Sequence, residues 1–364
     1  MSGAVRPQDP PAGAARRLAR PEIVELSPYA HALWTPTLTR LHANEAPWRP
    51  AGDDGAWGLN RYPEPQPAAL IERLAEVYGT SRERVLVTRG SDEAIDLLSR
   101  IFLRAGVDGI LQCGPTFGMY QVAARIQGGS VAEVPLDAAA GWALDAQRLL
   151  AAWHAGIKLV YLCSPNNPTG NLLDPRAIDA VCRALDGRAM VVVDEAYVEW
   201  SRSPSLTSWL DRFQTLVILR TLSKAHALAG ARVGALLAHA EVIELARRVI
   251  PPYALAQPTV DAALRALAPE ELRASRARVE ALLAEREHLR AGLAASPLVQ
   301  RVWPSDANFL LIDCHDADLV LHRAAAGGLL VRDVRAHPAL PRSIRVTVGT
   351  RAQNDALLVS LGSP

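Results

Sequence analysis

The amino-acid sequence predicts an α/β protein in which a large domain with a mostly parallel sheet carries a smaller α/β domain. Helical patterns alternate with continuous apolar runs such as "KLVYLC" and "AMVVVDEAY", which are typical of strands buried on both faces. After Pro258 the chain changes to an Ala-, Leu-, Arg- and Glu-rich helix followed by a strand-rich tail. We therefore expect a flexible leader over 1–20, a small domain over 21–55 plus 270–364, and a large domain over 56–269.

The elements of the large domain are predicted in order from their own patterns. Apolar residues recur every three or four positions from Pro67, which indicates a helix. Strands are predicted at "RVLVTRG", "GILQC", "KLVYLC", "AMVVVDEAY" and "TLVILRTLS". Helices are predicted at "SDEAIDLLSRIFLRAG", capped by Gly90 or Ser91, and at "GMYQVAARIQGG".

The last third of the chain predicts one long helix and a strand-rich tail. Residues 259–295 carry an apolar stripe and predict a single amphipathic helix. The tail predicts strands at "NFLLIDC" and "SIRVTVGT" around a helix at 316–326. In the last strand, alternation sends Ile344, Val346 and Val348 to one face and Arg345 and Thr347 to the other.

Composition excludes several classes of protein. The 364 residues are 49% hydrophobic and 21% charged, which is typical of a globular chain with a sizeable core. A net charge of +1 predicts no attraction to nucleic acid or an anionic membrane. No apolar run approaches the roughly 18 residues of a membrane span, and the first residues lack the apolar segment of a secretory signal. Four scattered cysteines fit buried thiols in a reducing compartment, so we expect a cytoplasmic protein.

Polar clusters follow several of the predicted strands. They are "TRGSDE", "SPNNPTG", "DEAY" and "LSKAHALAGAR", and in an α/β sheet such residues meet beyond the carboxyl ends of the strands. The sequence contains no GxGxxG after a strand, no GxxxxGK[ST] and no HExxH. We therefore expect neither a nicotinamide site, nor a P-loop, nor a metal site.

Lys224 is informative because the chain almost avoids lysine. Of its 39 Lys and Arg residues, only Lys158 and Lys224 are lysines. Arginine is never deprotonated, whereas a neutral lysine amine can condense with an aldehyde. Taken alone, Lys224 is more simply a solvated or ion-pairing lysine, and Lys158, just before a strand, fits that interpretation. His226, next to Lys224, is more simply a bystander than a catalyst.

The neighbours of Lys224 suit an aldehyde cofactor that carries a pyridine ring and a phosphate. Its ring nitrogen needs a carboxylate, and Asp194 ends a buried strand, although a turn cap is an alternative role. Its phosphate needs amides at a helix N-terminus, hydroxyls and a cation. Ser91 and Asp92 open such a helix, and Ser223 and Arg232 flank the lysine.

Three more residues complete the predicted cofactor site. Asn167 and Tyr197 follow adjacent strands and could hold the phenolic oxygen of the ring, and Phe117 could cover its face. Each feature is weak alone. Together and in this order they predict a pyridoxal 5'-phosphate site.

The motifs resemble those of one enzyme family. The chain resembles the fold-type-I pyridoxal-phosphate-dependent aminotransferases, and among them the histidinol-phosphate aminotransferase family, from about Ser27 to the C-terminus. The resemblance rests on "LSPYA", "LHANEAP", "LNRYPEP", "TRGSDEAIDLL", "PTFGMY", "CSPNNPTG", "DEAYVEW", "TLSKAHALAGARVG", "LLVRD" and "IRVTVGTR".

The resemblance implies a role for each cofactor residue. Lys224 would form the internal aldimine and move the α-proton, and Asp194 would pair with the pyridinium nitrogen. Asn167 and Tyr197 would hold the phenolic oxygen. The remaining residues would stack on the ring or surround the phosphate, namely Phe117, Ser91, Asp92, Ser223 and Arg232.

The same resemblance implies substrate residues and a homodimer. Tyr62 would reach the cofactor phosphate of the neighbouring subunit, and Arg345 would bind the substrate carboxylate. Arg332 and Tyr29 would lie where the phosphate or distal acid group of the substrate goes, and Asn44 would be a further substrate-binding residue. The chain departs from the usual family pattern at three positions, which are His42, Ala46 and Phe117.

The implied reaction converts histidinol phosphate and 2-oxoglutarate into imidazole-acetol phosphate and glutamate, in histidine biosynthesis. Three alternatives stay open from the residues alone. They are an aromatic amino-acid aminotransferase, a pyridoxal-phosphate-dependent decarboxylase of a phosphorylated amino acid, and a cofactor-binding regulator. A regulator of this kind usually needs a DNA-binding module, for which the leader is too short and proline-rich.

Overall fold

A seven-stranded sheet forms the centre of the protein in the computed structural model, which describes residues 13–32 and 38–362. Its strands are β1 (Val85–Thr88), β2 (Gly109–Gly114), β3 (Ser130–Pro135), β4 (Ile157–Cys163), β5 (Met190–Asp194), β6 (Leu216–Thr221) and β7 (Gly234–Ala238). Their spatial order is β1-β7-β6-β5-β4-β2-β3. Strand β7 is antiparallel to both neighbours, and the other pairs are parallel.

Helices cover both faces of this sheet. They are α1 (Ala14–Leu18), α2 (Pro21–Glu25), α3 (Ala68–Tyr78), α4 (Ser91–Phe102), α5 (Met119–Ile126), α6 (Ala146–Ala152), α7 (Pro175–Leu185), α8 (Ala240–Val249) and α9 (Gln257–Ala266). Successive residues of β4 enter opposite apolar clusters, Val160 on one face and Leu159 and Tyr161 on the other. Burial on both faces explains the continuous apolar runs.

A second, smaller sheet follows the long helix α10 (Pro269–Ala295). It comprises β8 (Val299–Val302), β9 (Phe309–Cys314), β10 (Arg332–Asp333) and β11 (Ser343–Thr347), packed with α11 (Ala317–Ala326) and α12 (Arg351–Ser360). The strands pair antiparallel in the order β10-β11-β9-β8. Ile344 and Val346 of β11 are buried as their alternation predicts. The predicted α/β class with a smaller second unit is confirmed, and the domain bounds stay a prediction.

The beginning of the described chain differs from the expected flexible leader. Residues 1–12 lie outside the described residues, but α1 packs against α8 and buries Ala15 and Leu18. The backbone N–H of Ala15 donates a 3.0 Å hydrogen bond to the Glu241 carboxylate. Helix α2, expected in the small domain, also lies on α8, where Arg248 donates to the carbonyl of Val24. Apolar residues at helical spacing give this short segment one buried face.

The single helix expected over 259–295 is in fact two helices. Helix α9 ends at Ala266, and Pro269 begins α10. A proline disfavours helical backbone at the residue before it and cannot donate a helical hydrogen bond, so the chain breaks at Leu267 and Ala268. No helix of the described residues combines the length and apolar character needed to cross a bilayer.

Candidate active site

A cavity of about 750 Å³ opens beyond the carboxyl ends of β4, β5 and β6. Most of the residues predicted for the site line it. These are Ser91, Asp92, Phe117, Asn167, Asp194, Tyr197, Ser223, Lys224, Arg232, Arg332 and Arg345. The topology therefore brings together residues that span more than 250 positions of the chain, as the strand ends predict.

Asp194 supplies a buried carboxylate at the base of the cavity. Its side chain accepts hydrogen bonds from the Tyr120 hydroxyl at 2.8 Å and from the backbone N–H of Ala196 at 3.0 Å. Burial raises the pKa of Asp194 to about 6, while the two hydrogen bonds and the charge of Lys224 act against that rise. The side chain therefore does cap its own turn through Ala196, and it also presents a carboxylate that a protonated ring nitrogen would satisfy.

Asn167, Tyr197 and Arg345 form a hydrogen-bonded group beside it. The Asn167 amide donates to the Tyr197 hydroxyl at 3.4 Å, and Arg345 Nη1 donates to Asn167 Oδ1 at 2.5 Å. Burial raises the pKa of Tyr197, so its hydroxyl keeps its proton and remains a donor. The ring of Tyr197 is fixed edge-on against Phe309, with 5.1 Å between centroids. This group is suited to an anionic ring oxygen.

Lys224 follows β6 and extends into the open cavity. Its Nζ lies 5.7 Å from the ring centroid of Tyr197. The pKa of Lys224 is lowered by desolvation against the cavity wall and by the charges of Arg345 and Arg232, whereas Asp92 and Asp194 oppose the shift. A lowered pKa increases the fraction of neutral amine, which is the form that condenses with an aldehyde.

The N-terminus of α4 brings together groups that are suited to an anion. Arg232 Nη1 donates to the Ser223 hydroxyl at 3.3 Å, and its Nη2 pairs with Asp92 at 3.1 Å. Gly90 has a φ of +79°, a backbone conformation that other residues rarely adopt, and a Cβ there would lie 2.6 Å from Arg232 Nη2 and displace the guanidinium. A Cβ on Gly234 would likewise lie 2.6 Å from the backbone nitrogen of Ser91. Close backbone, first-turn amides, a hydroxyl and a guanidinium together fit a phosphate.

Two arginines occupy neighbouring strands at the other end of the cavity. Arg332 of β10 and Arg345 of β11 are paired residues of the antiparallel ladder. Burial lowers the pKa of Arg345, and its Nε is buried with no hydrogen-bond partner among the described residues. Arg332 is exposed. The pair is suited to an anionic ligand, since an unpaired buried donor favours a partner that accepts.

Three predicted site residues do not line the cavity of the single chain. Tyr62 stacks on Tyr253, with 4.6 Å between ring centroids, and Tyr29 lies edge-on to His31 at 5.3 Å. Asn44 is exposed, with a φ of +57°. All three lie in the N-terminal segment, so their assignment to the site stays a prediction.

Three residues at the site were not predicted from the sequence. Gln121 of α5 and His337 of the loop after β10 line the cavity, and His337 Nε2 lies 3.4 Å from Glu133 Oε1. Tyr120 of α5 does not line the cavity, but its hydroxyl donates to the Asp194 carboxylate. Tyr120 ends the "TFGMY" motif, which could have suggested it. Nothing in the pattern of the loop singles out His337. Among residues 13–32 and 38–362, no group of three His, Cys, Asp or Glu side chains is placed to hold a metal ion.

Comparison with known proteins identifies the class that this fold and site define. The family model for aminotransferase class I and II matches residues 41–361. The chain belongs to this family of pyridoxal-phosphate-dependent aminotransferases. It is 44% identical to a histidinol-phosphate aminotransferase of Sodalis glossinidius over 346 residues, which cover 94% of this chain and 95% of that protein. Within the class, its family is that of the histidinol-phosphate aminotransferases.

Two further comparisons agree. A histidinol-phosphate aminotransferase of Xylella fastidiosa is 46% identical over 323 residues, or 88% of each chain. The solved structure of a histidinol-phosphate aminotransferase from Sinorhizobium meliloti in complex with pyridoxal-5'-phosphate superimposes with a TM-score of 0.75. It is 26% identical, and the match covers 83% of this chain and 82% of that one. Pyridoxal 5'-phosphate is therefore the cofactor that the cavity residues would hold.

Proposed function

We propose that this aminotransferase converts histidinol phosphate and 2-oxoglutarate into imidazole-acetol phosphate and glutamate, as a step of histidine biosynthesis. The observation that carries the proposal is the composition of one cavity. It contains a lysine amine, a buried carboxylate, an anion-binding helix terminus and, at its other end, two arginines from paired strands. The names of the relatives supply the amine donor.

Each cavity residue has a task in this proposal. When bound, pyridoxal phosphate supplies an aldehyde that condenses with amines and a ring that withdraws electrons from the α-carbon. Lys224 Nζ is the attachment atom and then carries the proton to and from the α-carbon. Asp194 holds the proton of the ring nitrogen. Asn167 and Tyr197 hold the phenolic oxygen, and the terminus of α4 with Ser223, Arg232 and the amides of Ser91 and Asp92 holds the phosphate.

The two substrates use the same pocket in turn, because one releases an amino group that the other accepts. In our proposal Arg345 binds the carboxylate of glutamate or 2-oxoglutarate, since a guanidinium matches a carboxylate at two points. Arg332 binds the phosphate or the distal acid group. Tyr29 and Asn44 complete the substrate pocket, and Phe117 covers the cofactor ring.

The protein is also proposed to act as a homodimer in the cytoplasm. Most of the large apolar side chains that the described residues expose lie between residues 26 and 62, namely Leu26, Tyr29, Leu38, Leu41, Trp48, Trp57, Leu59 and Tyr62. Concentrated apolar exposure of this kind favours a protein interface. A second copy seated there would place Tyr62 near the partner's phosphate site.

The segment that carries Tyr62 is held firmly for such a role. The Glu45 carboxylate accepts a 2.7 Å hydrogen bond from the backbone N–H of Tyr62. It also pairs with Arg61 at 2.9 Å and with Arg40 at 3.2 Å, and its side chain is only 3% exposed. A buried carboxylate with three partners fixes the "LHANEAP" and "RYP" loops to each other.

The test is a half-reaction on the cofactor-loaded enzyme. Histidinol phosphate, added without 2-oxoglutarate, should remove the visible absorbance of the lysine-bound cofactor, and 2-oxoglutarate should then restore it. Phenylalanine and threonine phosphate serve as competing amines. A faster response to phenylalanine would favour an aromatic aminotransferase, and turnover of threonine phosphate with release of carbon dioxide would favour a decarboxylase.

A further inference from the structure

Tyr120 holds the Asp194 carboxylate from the side of helix α5. Its hydroxyl donates a 2.8 Å hydrogen bond to Asp194 Oδ2, and its side chain is fully buried. The ring stacks on Tyr161, with 4.5 Å between centroids and 9° between the planes. Phe117 lies edge-on to the same ring, with 5.6 Å between centroids. Two aromatic rings therefore hold the phenol with its hydroxyl directed at the carboxylate.

The hydroxyl keeps its proton and acts as a donor toward the Asp194 carboxylate. Burial raises the pKa of Tyr120 well above its usual value, and the charge of Asp194 raises it further. An ionised carboxylate can only accept hydrogen bonds, so the contact favours the charged form of Asp194. It thus opposes the desolvation that raises the pKa of Asp194 to about 6.

Tyr120 acts on the Asp194 carboxylate in a different way from the other groups around it. Asp92 and Lys224 act on the carboxylate through their charges, and Cys163, Tyr161 and Tyr197 lie close enough for its charge to raise their pKa values. In the described part of the chain, Ala196 is the other donor, and it is a backbone group. Tyr120 is therefore the side-chain donor whose removal leaves the backbone contact in place.

We infer that Tyr120 is a positioning residue, whose hydroxyl orients the Asp194 carboxylate and holds it ionised toward the ring nitrogen of the bound cofactor. The inference rests on the role proposed for Asp194. It extends the site by one residue that contacts neither the substrate nor the reacting atoms in our proposal.

The test compares Tyr120→Phe with Tyr161→Phe, which trims a hydroxyl from the neighbouring stacked ring. Pyridoxal phosphate affinity of the full chain is measured from pH 5 to 8. Affinity should fall as Asp194 takes up a proton, because a protonated carboxyl cannot pair with a protonated ring. Loss of one hydrogen bond to the carboxylate should move that fall upward by about one pH unit in Tyr120→Phe. In Tyr161→Phe the fall in affinity should occur at the same pH as in the parent.

Identical pH profiles for the two variants would overturn the inference. A second measurement covers the case in which Tyr120→Phe binds too weakly to titrate. Thermal unfolding of the cofactor-free protein should differ between Tyr120→Phe and the parent by an amount that changes over the same pH range, and this pH dependence should vanish in an Asp194→Asn background. A difference that does not depend on pH in either background means that Tyr120 is only structural. If Asp194→Asn keeps the parent's affinity profile, the proposed role of Asp194 fails instead.

Discussion

Arg345 Nη1 and Asn167 Oδ1 are joined by a 2.5 Å hydrogen bond although the two residues are 178 positions apart. Arg345 lies on β11 of the smaller sheet, and Asn167 lies in the loop after β4 of the central sheet. The contact ties the proposed carboxylate ligand to a proposed cofactor ligand. A substrate that binds Arg345 would therefore be held at a defined position relative to the cofactor ring.

Arg345→Ala should impair 2-oxoglutarate and glutamate most. The variant loses a two-point contact to a carboxylate, so kcat/KM for 2-oxoglutarate should fall on the order of 100-fold or more, a typical cost for a charge-assisted pair. Arg345→Lys keeps the charge and serves as the control, and it should restore only a small part. Equal losses for both half-reactions would place Arg345 outside the carboxylate site.

Arg332→Ala should impair phosphorylated amines far more than unphosphorylated ones. Its guanidinium is exposed at the cavity, so it can bind a phosphate without first breaking a buried pair. Single-turnover rates with histidinol phosphate and with histidinol would measure the ratio. The same loss on both amines would contradict the phosphate assignment and strengthen the aromatic aminotransferase alternative.

Lys224→Ala and Lys224→Arg should both be inactive. Arginine keeps the positive charge but cannot provide a neutral amine, so charge alone should not rescue the reaction. The visible absorbance of the lysine-bound cofactor and the transamination rate are the measurements. Lys158→Arg is the matched control, because Lys158 lies outside the cavity, and it should be fully active. Activity in Lys224→Arg would refute the whole assignment of the site.

Asp194→Asn should be much less active but more stable without cofactor. The rate should fall on the order of 10³-fold, because a charge partner of the ring is lost. The native pKa of about 6 lies above the ordinary 3.8, so Asp194 stabilises the fold fully below pH 3.8 and loses that contribution as the pH rises through 6. The difference between the native and the ordinary pKa of Asp194 corresponds to about 3 kcal/mol in the free energy of unfolding.

Urea unfolding of the cofactor-free parent and of cofactor-free Asp194→Asn at pH 5 and pH 8 measures the difference in their free energy of unfolding. The amide keeps acceptor geometry for Tyr120 and Ala196 and avoids burying a charge. The stability gain of Asp194→Asn should therefore be larger at pH 8 than at pH 5. A gain that is equal at both pH values would mean that Asp194 does not titrate in this range.

Tyr62 should act across the subunit boundary of a homodimer. Lys224→Ala and Tyr62→Ala subunits are each impaired, but a mixed dimer contains one site with both native residues. Mixing them should restore up to about a quarter of native activity when subunits exchange randomly. Sedimentation at several concentrations measures the dimer itself. If exchange is demonstrated and activity stays low, the shared site is disproved.

The sequence predicted which residues meet at the cavity where strand order decides it. Lys224 and Asp194 follow strands of one sheet, so their positions in the sequence were enough to predict that they lie at the same edge. Tyr120 was not predicted because its contact with Asp194 depends on how α5 packs on the sheet, which no periodicity reveals. The packed helix α1 was not predicted, because five helical residues in a Pro- and Ala-rich segment give only a weak helical pattern. The helix break before Pro269 follows from the proline rule, whereas the Ala-, Leu-, Arg- and Glu-rich composition of 259–295 favours one continuous helix.

The pairing of Arg332 with Arg345 sets the distance between their two backbone positions. Directly opposed residues of an antiparallel ladder keep their Cα atoms roughly 5 Å apart, whatever the rest of the chain does. In our proposal, strand register therefore fixes the backbone positions of the two anion ligands, and their long side chains set the final spacing between the anionic groups that they bind. A register shift of one residue in β10 would turn the Arg332 side chain to the opposite face of the sheet, so the two arginines would no longer face the same pocket. Replacing either arginine would remove one of the two proposed anion ligands, whereas the strand pairing would keep the backbone position of the other unchanged.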